Sequence, residues 1–313
     1  MSINHVTYPK AGPTEVVNVI AWRRPDFLRA TLIRLALAHR TGIHYRINID
    51  HGADDEIYPP IGKFAEAVGA DNVELIEREP HHNPGPTRNI LCALHESMEY
   101  GAEFVHSIED DIFINKHYFD YHRTAHRLNP QAFCTTAYTP QPKMPFHPSD
   151  HSLATLRPYA PTVAISFRTE MLARILKWLP LSYLDDMVAY NARVFRDHPC
   201  GPHEWAGIDG AFGRVRRRMN LTTVYPVVNR AYHAGYVSAP CAGGACNNEN
   251  TRDGINNGPH RHGNELTGTV EERAHHLLSL KAEDLNALSD EITRDYTWAD
   301  LDADYGPVTS LVR

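Results

Sequence analysis

Phe104-Val105-His106-Ser107-Ile108-Glu109-Asp110-Asp111 reads as a buried strand that runs straight into three consecutive carboxylates, followed by the apolar pair Ile112-Phe113. Like charges placed side by side repel and resist burial, so a folded chain keeps them where a cation or hydrogen-bond donors neutralise them. A divalent metal holding a diphosphate would do so; a solvated acidic turn is the plainer alternative. The segments on either side decide between the two.

Upstream, Val16 to Trp22 is almost continuously apolar, as a central parallel strand covered on both faces should be. Pro25 suits the first position of a helix, and Leu28, Leu32 and Leu35 give that helix one apolar stripe. Tyr45 to Asp50 is a second strand that ends in acid, residues 61–70 a helix, and Val73 to Glu77 a third strand. This βαβαβ alternation with short links predicts a doubly wound α/β sheet, whose ligands lie beyond the carboxyl ends of its strands. Next come the turn-rich Asn83-Pro84-Gly85-Pro86-Thr87-Arg88-Asn89 and a helix carrying Ile90, Leu91, Leu94 and Met98 on one face. That helix leads into the acidic strand, so the strand ends at Trp22, Asp50 and Asp111 should share one crevice.

Downstream, Phe133 to Tyr138 and Thr162 to Phe167 read as strands around a Pro- and His-rich loop, and residues 171–179 as a helix. Residues 180–203 show no clear period. Ile208, Phe212, Val215 and Met219 mark another helix with Asp209 in its first turn, where the helix dipole favours a carboxylate. Thr222 to Val228 is a last strand. Residues 1–14 form a lead-in, 15–238 a catalytic domain, and 239–268 a Gly- and Asn-rich mobile loop placed to act as a lid. Thr269 and Glu272 make a capping box that opens a helical tail over 269–313.

A net charge of −7 over 313 residues argues against a surface that is basic throughout, although Arg214 to Arg218 is a local basic run. The five cysteines are scattered, and no stretch has the apolar length of a membrane span or signal sequence. The expected compartment is cytoplasmic, the host cytosol for a virus-encoded chain, with no membrane partner. Cys241, Cys246, His260 and His262 do not match common zinc-finger spacing.

The order of these motifs resembles that of glycosyltransferases of the GT-A fold: a Pro- and Gly-containing loop ending in Arg88-Asn89, a helix, then an acidic strand end. The resemblance is closest to N-acetylglucosaminyltransferase I and the protein O-mannose N-acetylglucosaminyltransferases, which share Glu-Asp-Asp followed by an apolar pair and an aromatic-rich helix, here His117 to Tyr121. It implies a hexosyl- or N-acetylhexosaminyltransferase that uses a UDP-sugar with Mn²⁺ or Mg²⁺ and inverts the anomeric centre. Implied donor-site residues are Ala21, Trp22, Arg24, Asp50, Arg88, Glu109, Asp110 and Trp205. Asp111 is implied as metal ligand with His233 as a second. Asp209 is implied as the base, with Glu204 in reserve. The acceptor would be a glycan, a peptide or a hydroxymethylated pyrimidine in DNA. For Asp209 a helix-capping role, and for His233 a packed, hydrogen-bonded role, stand as the structural alternatives. A nucleotidyltransferase would share the sheet and the carboxylates, but Trp22-Arg23-Arg24-Pro25 is not the Gly-rich, Lys-bearing loop expected after its first strand. A nucleotide-sugar-binding module without turnover is the remaining class.

Overall fold

A computed structural model describes residues 12–82, 85–138, 154–197, 207–226 and 229–233. The expected lid over 239–268 and the helical tail lie outside them, as do Glu204 and Trp205.

The first half alternates as its sequence predicts: β1 (Glu15–Ala21), α1 (Pro25–Ala38), β2 (Ile43–Ile49), α2 (Tyr58–Val68), β3 (Val73–Glu77), α3 (Pro86–Ser97) and β4 (Phe104–Glu109). Pro25 and Pro86 each sit in the first turn of their helix, where a missing N–H costs nothing. The second half comprises β5 (Ile112–Ile114), α4 (Tyr118–Leu128), β6 (Thr135–Thr136), β7 (Ala154–Arg157), β8 (Ile165–Arg168), α5 (Thr169–Leu176), α6 (Met187–Val194), α7 (Ile208–Met219), β9 (Thr223–Pro226) and β10 (Ala231–His233).

Eight strands form one mixed, mainly parallel sheet in the order β3-β2-β1-β4-β8-β6-β9-β7. β1 lies parallel between β2 and β4, while β8 runs antiparallel to β4. Successive residues of β1 serve opposite faces. Val17, Val19 and Ala21 pack with α1, α2 and α4, through Leu28, Leu32, Phe64 and Phe119 among others. Ile20 packs on the other face with α3, α5 and α7, through Leu91, Leu94, Leu172 and Phe212. Both faces are therefore covered, which is why β1 reads as an almost continuous apolar run.

Two expected strands need correction. The strand expected over Phe133 to Tyr138 shortens to Thr135–Thr136, and the one expected from Thr162 begins at Ile165. Residues 180–203, which show no period, contain α6, opened by the Asp186 side chain accepting from the Ala189 N–H at 2.9 Å. The basic run does not form an open cationic face: Arg214 is fully buried and donates to Asn191 Oδ1 at 2.8 Å. In the same run, Arg216 caps the Leu221 carbonyl and Arg218 pairs with Asp197.

Candidate active site

Chain order grows outward from β1 in both directions: β2 and β3 lie on one side, and the chain returns to the other through β4. The gap beyond the carboxyl ends of β1 and β4 is thus the point where strand order reverses, the usual position of a ligand crevice in a doubly wound sheet. The acidic triplet stands there. Glu109 closes β4, and the parallel register with β1 extends one residue further through Asp110 N–H to Ile20 O at 2.9 Å.

Asp110 and Asp111 are 2% and 3% exposed. They persist there because Arg24, the residue that caps α1, forks across both: one terminal nitrogen reaches Asp110 Oδ1 and the other donates to Asp111 Oδ2 at 2.5 Å. The Trp22 N–H adds a long contact to Asp110 Oδ2 at 3.4 Å. Thr31, buried on α1, donates to the Asp110 carbonyl at 2.7 Å and holds the turn against the helix. Two buried carboxylates that share one guanidinium still repel each other. Burial pushes the Asp110 carboxyl above the ordinary carboxylate range; Arg24 opposes that rise and the neighbouring Asp111 adds to it.

The flanking strand ends complete the rim. Asp50 follows β2, is 7% exposed and accepts the His51 N–H at 2.9 Å. Trp22 Nε1–H donates to His51 O at 3.1 Å, and Arg23 lies over the Trp22 ring at 4.5 Å while donating to Gly52 O. The loops after β1 and β2 are thereby clasped together around Trp22. Ala21 is the last residue of β1, and its carbonyl accepts from Asp50 N–H. Arg88, in the first turn of α3, reaches back to Glu79 O at 2.8 Å.

Asp209 occupies the first turn of α7 and is exposed. Ile165 of β8 lies opposite Ser107 of β4, and the two strands are antiparallel, so Thr162 projects beyond the same sheet edge as Asp110. The Thr162 hydroxyl donates to Asp209 Oδ1. The first N–H of α7, at Ile208, donates to Thr87 of α3 at 3.2 Å, which draws the starts of both helices together. The structure therefore brings Ala21, Trp22, Arg24, Asp50, Arg88, Glu109, Asp110, Asp111 and Asp209 to one edge of the sheet. His233 is described only by its backbone, which pairs with Ile112, the residue after Asp111.

Sequence reasoning missed the residues that hold this rim in place. Arg78, immediately after β3, donates to Asn48 Oδ1 at 2.7 Å, Asn89 Oδ1 at 2.9 Å and Glu96 Oε1 at 2.5 Å. Asn89 Nδ2 in turn donates to Asn48 O at 2.9 Å. The signal was present: polar residues alternate along β2, with Arg46 and Asn48 meeting α3 where an apolar stripe would be usual and His44 stacking on Tyr100 just beyond it.

Among the described residues no group of three or more His, Cys, Asp or Glu side chains converges to hold a metal. A hard divalent cation that keeps its waters and takes phosphate oxygens needs only one or two protein carboxylates, and the buried Asp110–Asp111 pair fits that donor set. No helix among the described residues is long and apolar enough to cross a membrane.

No family model matches the chain, and no curated protein sequence matches it. Solved structures that resemble it include the mannosyltransferase PcManGT from Pyrobaculum calidifontis in complex with GDP-Man and Mn²⁺, at 13% identity and a TM-score of 0.46 over 92% of this chain and 72% of that one. S. aureus TarS 1-349 in complex with UDP-GlcNAc is similar at 14% identity and a TM-score of 0.44, over 93% and 73% of the two chains. A mannose-1-phosphate geranyltransferase from Thermus thermophilus is similar at 13% identity and a TM-score of 0.36, over 68% and 74%. Likeness at that level specifies no activity, so the functional reading rests on the site itself.

Proposed function

We propose that the chain is a metal-dependent, inverting glycosyltransferase that moves a hexosyl or N-acetylhexosaminyl group from a UDP-sugar to an acceptor hydroxyl. The observation that carries this reading is the buried Asp110–Asp111 pair, bridged by Arg24 at the reversal point between β1 and β4. Paired buried carboxylates beside an arginine suit a metal–diphosphate better than a neutral ligand, because they offer hard oxygens to the metal and a planar cation to the phosphates. Mn²⁺ or Mg²⁺ held at Asp111, with His233 as a second ligand, would supply Lewis acidity to the leaving diphosphate.

The remaining roles belong to this chain's own groups. Trp22 offers a ring already clasped to the β2 loop as a face for the nucleoside, and Asp50 stands beside it as a hydrogen-bond acceptor. Asp110 and Glu109 flank the ribose and phosphate end, and Arg88 adds positive charge from α3. Asp209, exposed at the rim and oriented by Thr162, takes the proton from the acceptor hydroxyl. With one base and attack opposite the leaving group, the anomeric centre inverts. Glu204 is the reserve base and Trp205 a sugar-stacking residue. The acceptor is a glycan, a peptide or a hydroxymethylpyrimidine in DNA.

The test is to incubate the full chain with Mn²⁺ and a panel of nucleotide sugars, and to measure nucleoside diphosphate release with each class of acceptor. UDP release that rises with one acceptor supports the reading. Pyrophosphate release from a nucleoside triphosphate and a sugar phosphate would make the chain a nucleotidyltransferase. UDP binding without turnover would leave a binding module.

A further inference from the structure

We propose that Arg24 is a resident counter-cation of the acidic pair that a metal–diphosphate complex displaces, so that metal and nucleotide bind as a unit rather than metal first. The inference rests on the reading above. Its basis is a contrast among the arginines near this edge of the sheet. Arg46 and Arg78 are 3% and 9% exposed and are each fixed by several hydrogen bonds, Arg46 to Glu74, the Ala93 carbonyl and Glu96, and Arg78 to Asn48 and Asn89. Arg24 has a side chain 33% exposed, and it spans Asp110 and Asp111 with one terminal nitrogen each. Its remaining described contact is the distant face of Phe27, at 5.9 Å. It is thus held by charge to the two carboxylates, with a third of its side chain open to solvent.

Two cations brought to one buried carboxylate repel each other unless an anion joins them. A guanidinium at 2.5 Å from Asp111 Oδ2 lies where a divalent ion on the same oxygen would be repelled, and at 3% exposure little water is present to screen the two charges. A metal arriving alone either meets the repulsion of Arg24 or moves it into solvent with no new anion to receive it. A metal arriving with a diphosphate brings that anion, and a guanidinium pairs with phosphate oxygens at least as well as with carboxylates. Arg24 then passes from the acids to the phosphates, and the two binding events become coupled with a shared free energy.

The experiment measures Mn²⁺ affinity by the electron paramagnetic resonance of free Mn²⁺, with and without UDP, in the full chain and in Arg24→Gln and Arg24→Lys. Wild type is expected to bind Mn²⁺ alone weakly and to gain at least ~10-fold in affinity when UDP is present. Arg24→Gln, checked as folded by circular dichroism, should bind Mn²⁺ alone roughly 10-fold more tightly than wild type and lose most of the gain from UDP. Arg24→Lys retains the charge and should keep Mn²⁺ alone weak, which separates displacement of a cation from general loosening of the site. Unchanged or weaker Mn²⁺ affinity in folded Arg24→Gln, with UDP-linked Mn²⁺ binding intact in wild type, overturns the inference and leaves the proposed function standing. Failure of wild type to bind Mn²⁺ with any nucleoside diphosphate overturns the proposed function itself.

Discussion

At the scale of single residues, the two carboxylates that follow β4 have separable tasks. Asp111 presents the hard oxygen proposed for the metal, so Asp111→Asn should abolish the Mn²⁺-dependent part of UDP binding while leaving the fold intact, since Arg24 retains Asp110 as partner. Calorimetry giving the same UDP affinity with Mn²⁺ in both proteins would remove Asp111 from that role. Asp209 is exposed and its described side-chain bond is to Thr162, so Asp209→Asn preserves size and a hydrogen bond while removing basicity. Turnover is expected to fall by about 100-fold or more with donor binding unchanged, the range for a lost general base. If that variant keeps its activity and Glu204→Gln loses it, the base is Glu204.

At the scale of elements, the candidate site depends on how α3 is seated on the sheet. The contact is polar: Asn18, Arg46, Asn48 and Arg78 meet Asn89, Glu96 and Ser97, and hydrogen bonds join them throughout. Breaking such a network from one side strands buried acceptors, the Asn48 and Asn89 side-chain oxygens above all. Arg78→Met removes the donor to Asn48, Asn89 and Glu96, and should cost about 3 kcal/mol of stability. Because Arg88 and Thr87 sit on the turn that Asn89 anchors, the same variant should also weaken UDP binding several-fold in the fraction that stays folded. Urea denaturation together with UDP titration checks both parts, and a loss of stability with full UDP affinity would separate the network from the site. A second element-scale feature is the short link before β8, where buried Ala164 takes a left-handed backbone (φ 50) and its carbonyl accepts from Ala137 N–H at 2.9 Å. A non-glycine residue held in that region stores strain, and this one lies two residues from Thr162, which orients the proposed base.

At the scale of the whole molecule, acid should unfold the protein from within the sheet. His122 and His126 of α4 are 1% exposed, bonded to Thr135 and Ser166 and close to His106, which pairs with Glu15. Burial, reinforced by the neighbouring histidines, holds His122 far below the ordinary imidazole range and His126 at about 3. Unfolded, both would take up protons from about pH 6.5 downward, whereas the native state does not. Stability is therefore fully present above that pH and falls as pH drops toward about 3, by up to about 1.4 kcal/mol per pH unit for each group. Urea midpoints measured from pH 7.5 to 5 should decline, and His126→Gln should flatten the slope; a flat wild-type profile would contradict the burial of the pair. As for what could be read in advance, the sequence alone determined the alternation of the first half, the bounds of β3, β1 and β4 to within a residue, and the acidic triplet at a strand terminus. Those features are local, set by the period of apolar residues, by proline at helix starts and by charge at strand ends. It also named Arg24 and Asp209, although nothing local showed that they meet the same edge. Only the tertiary structure decided that β4 returns beside β1, that Arg24 forks across both carboxylates, that β5 pairs with β10 and that Arg214 turns inward. Each of these joins residues distant in the chain, or strands of three residues, where the period is too short to be read and pairing between segments supplies the missing information.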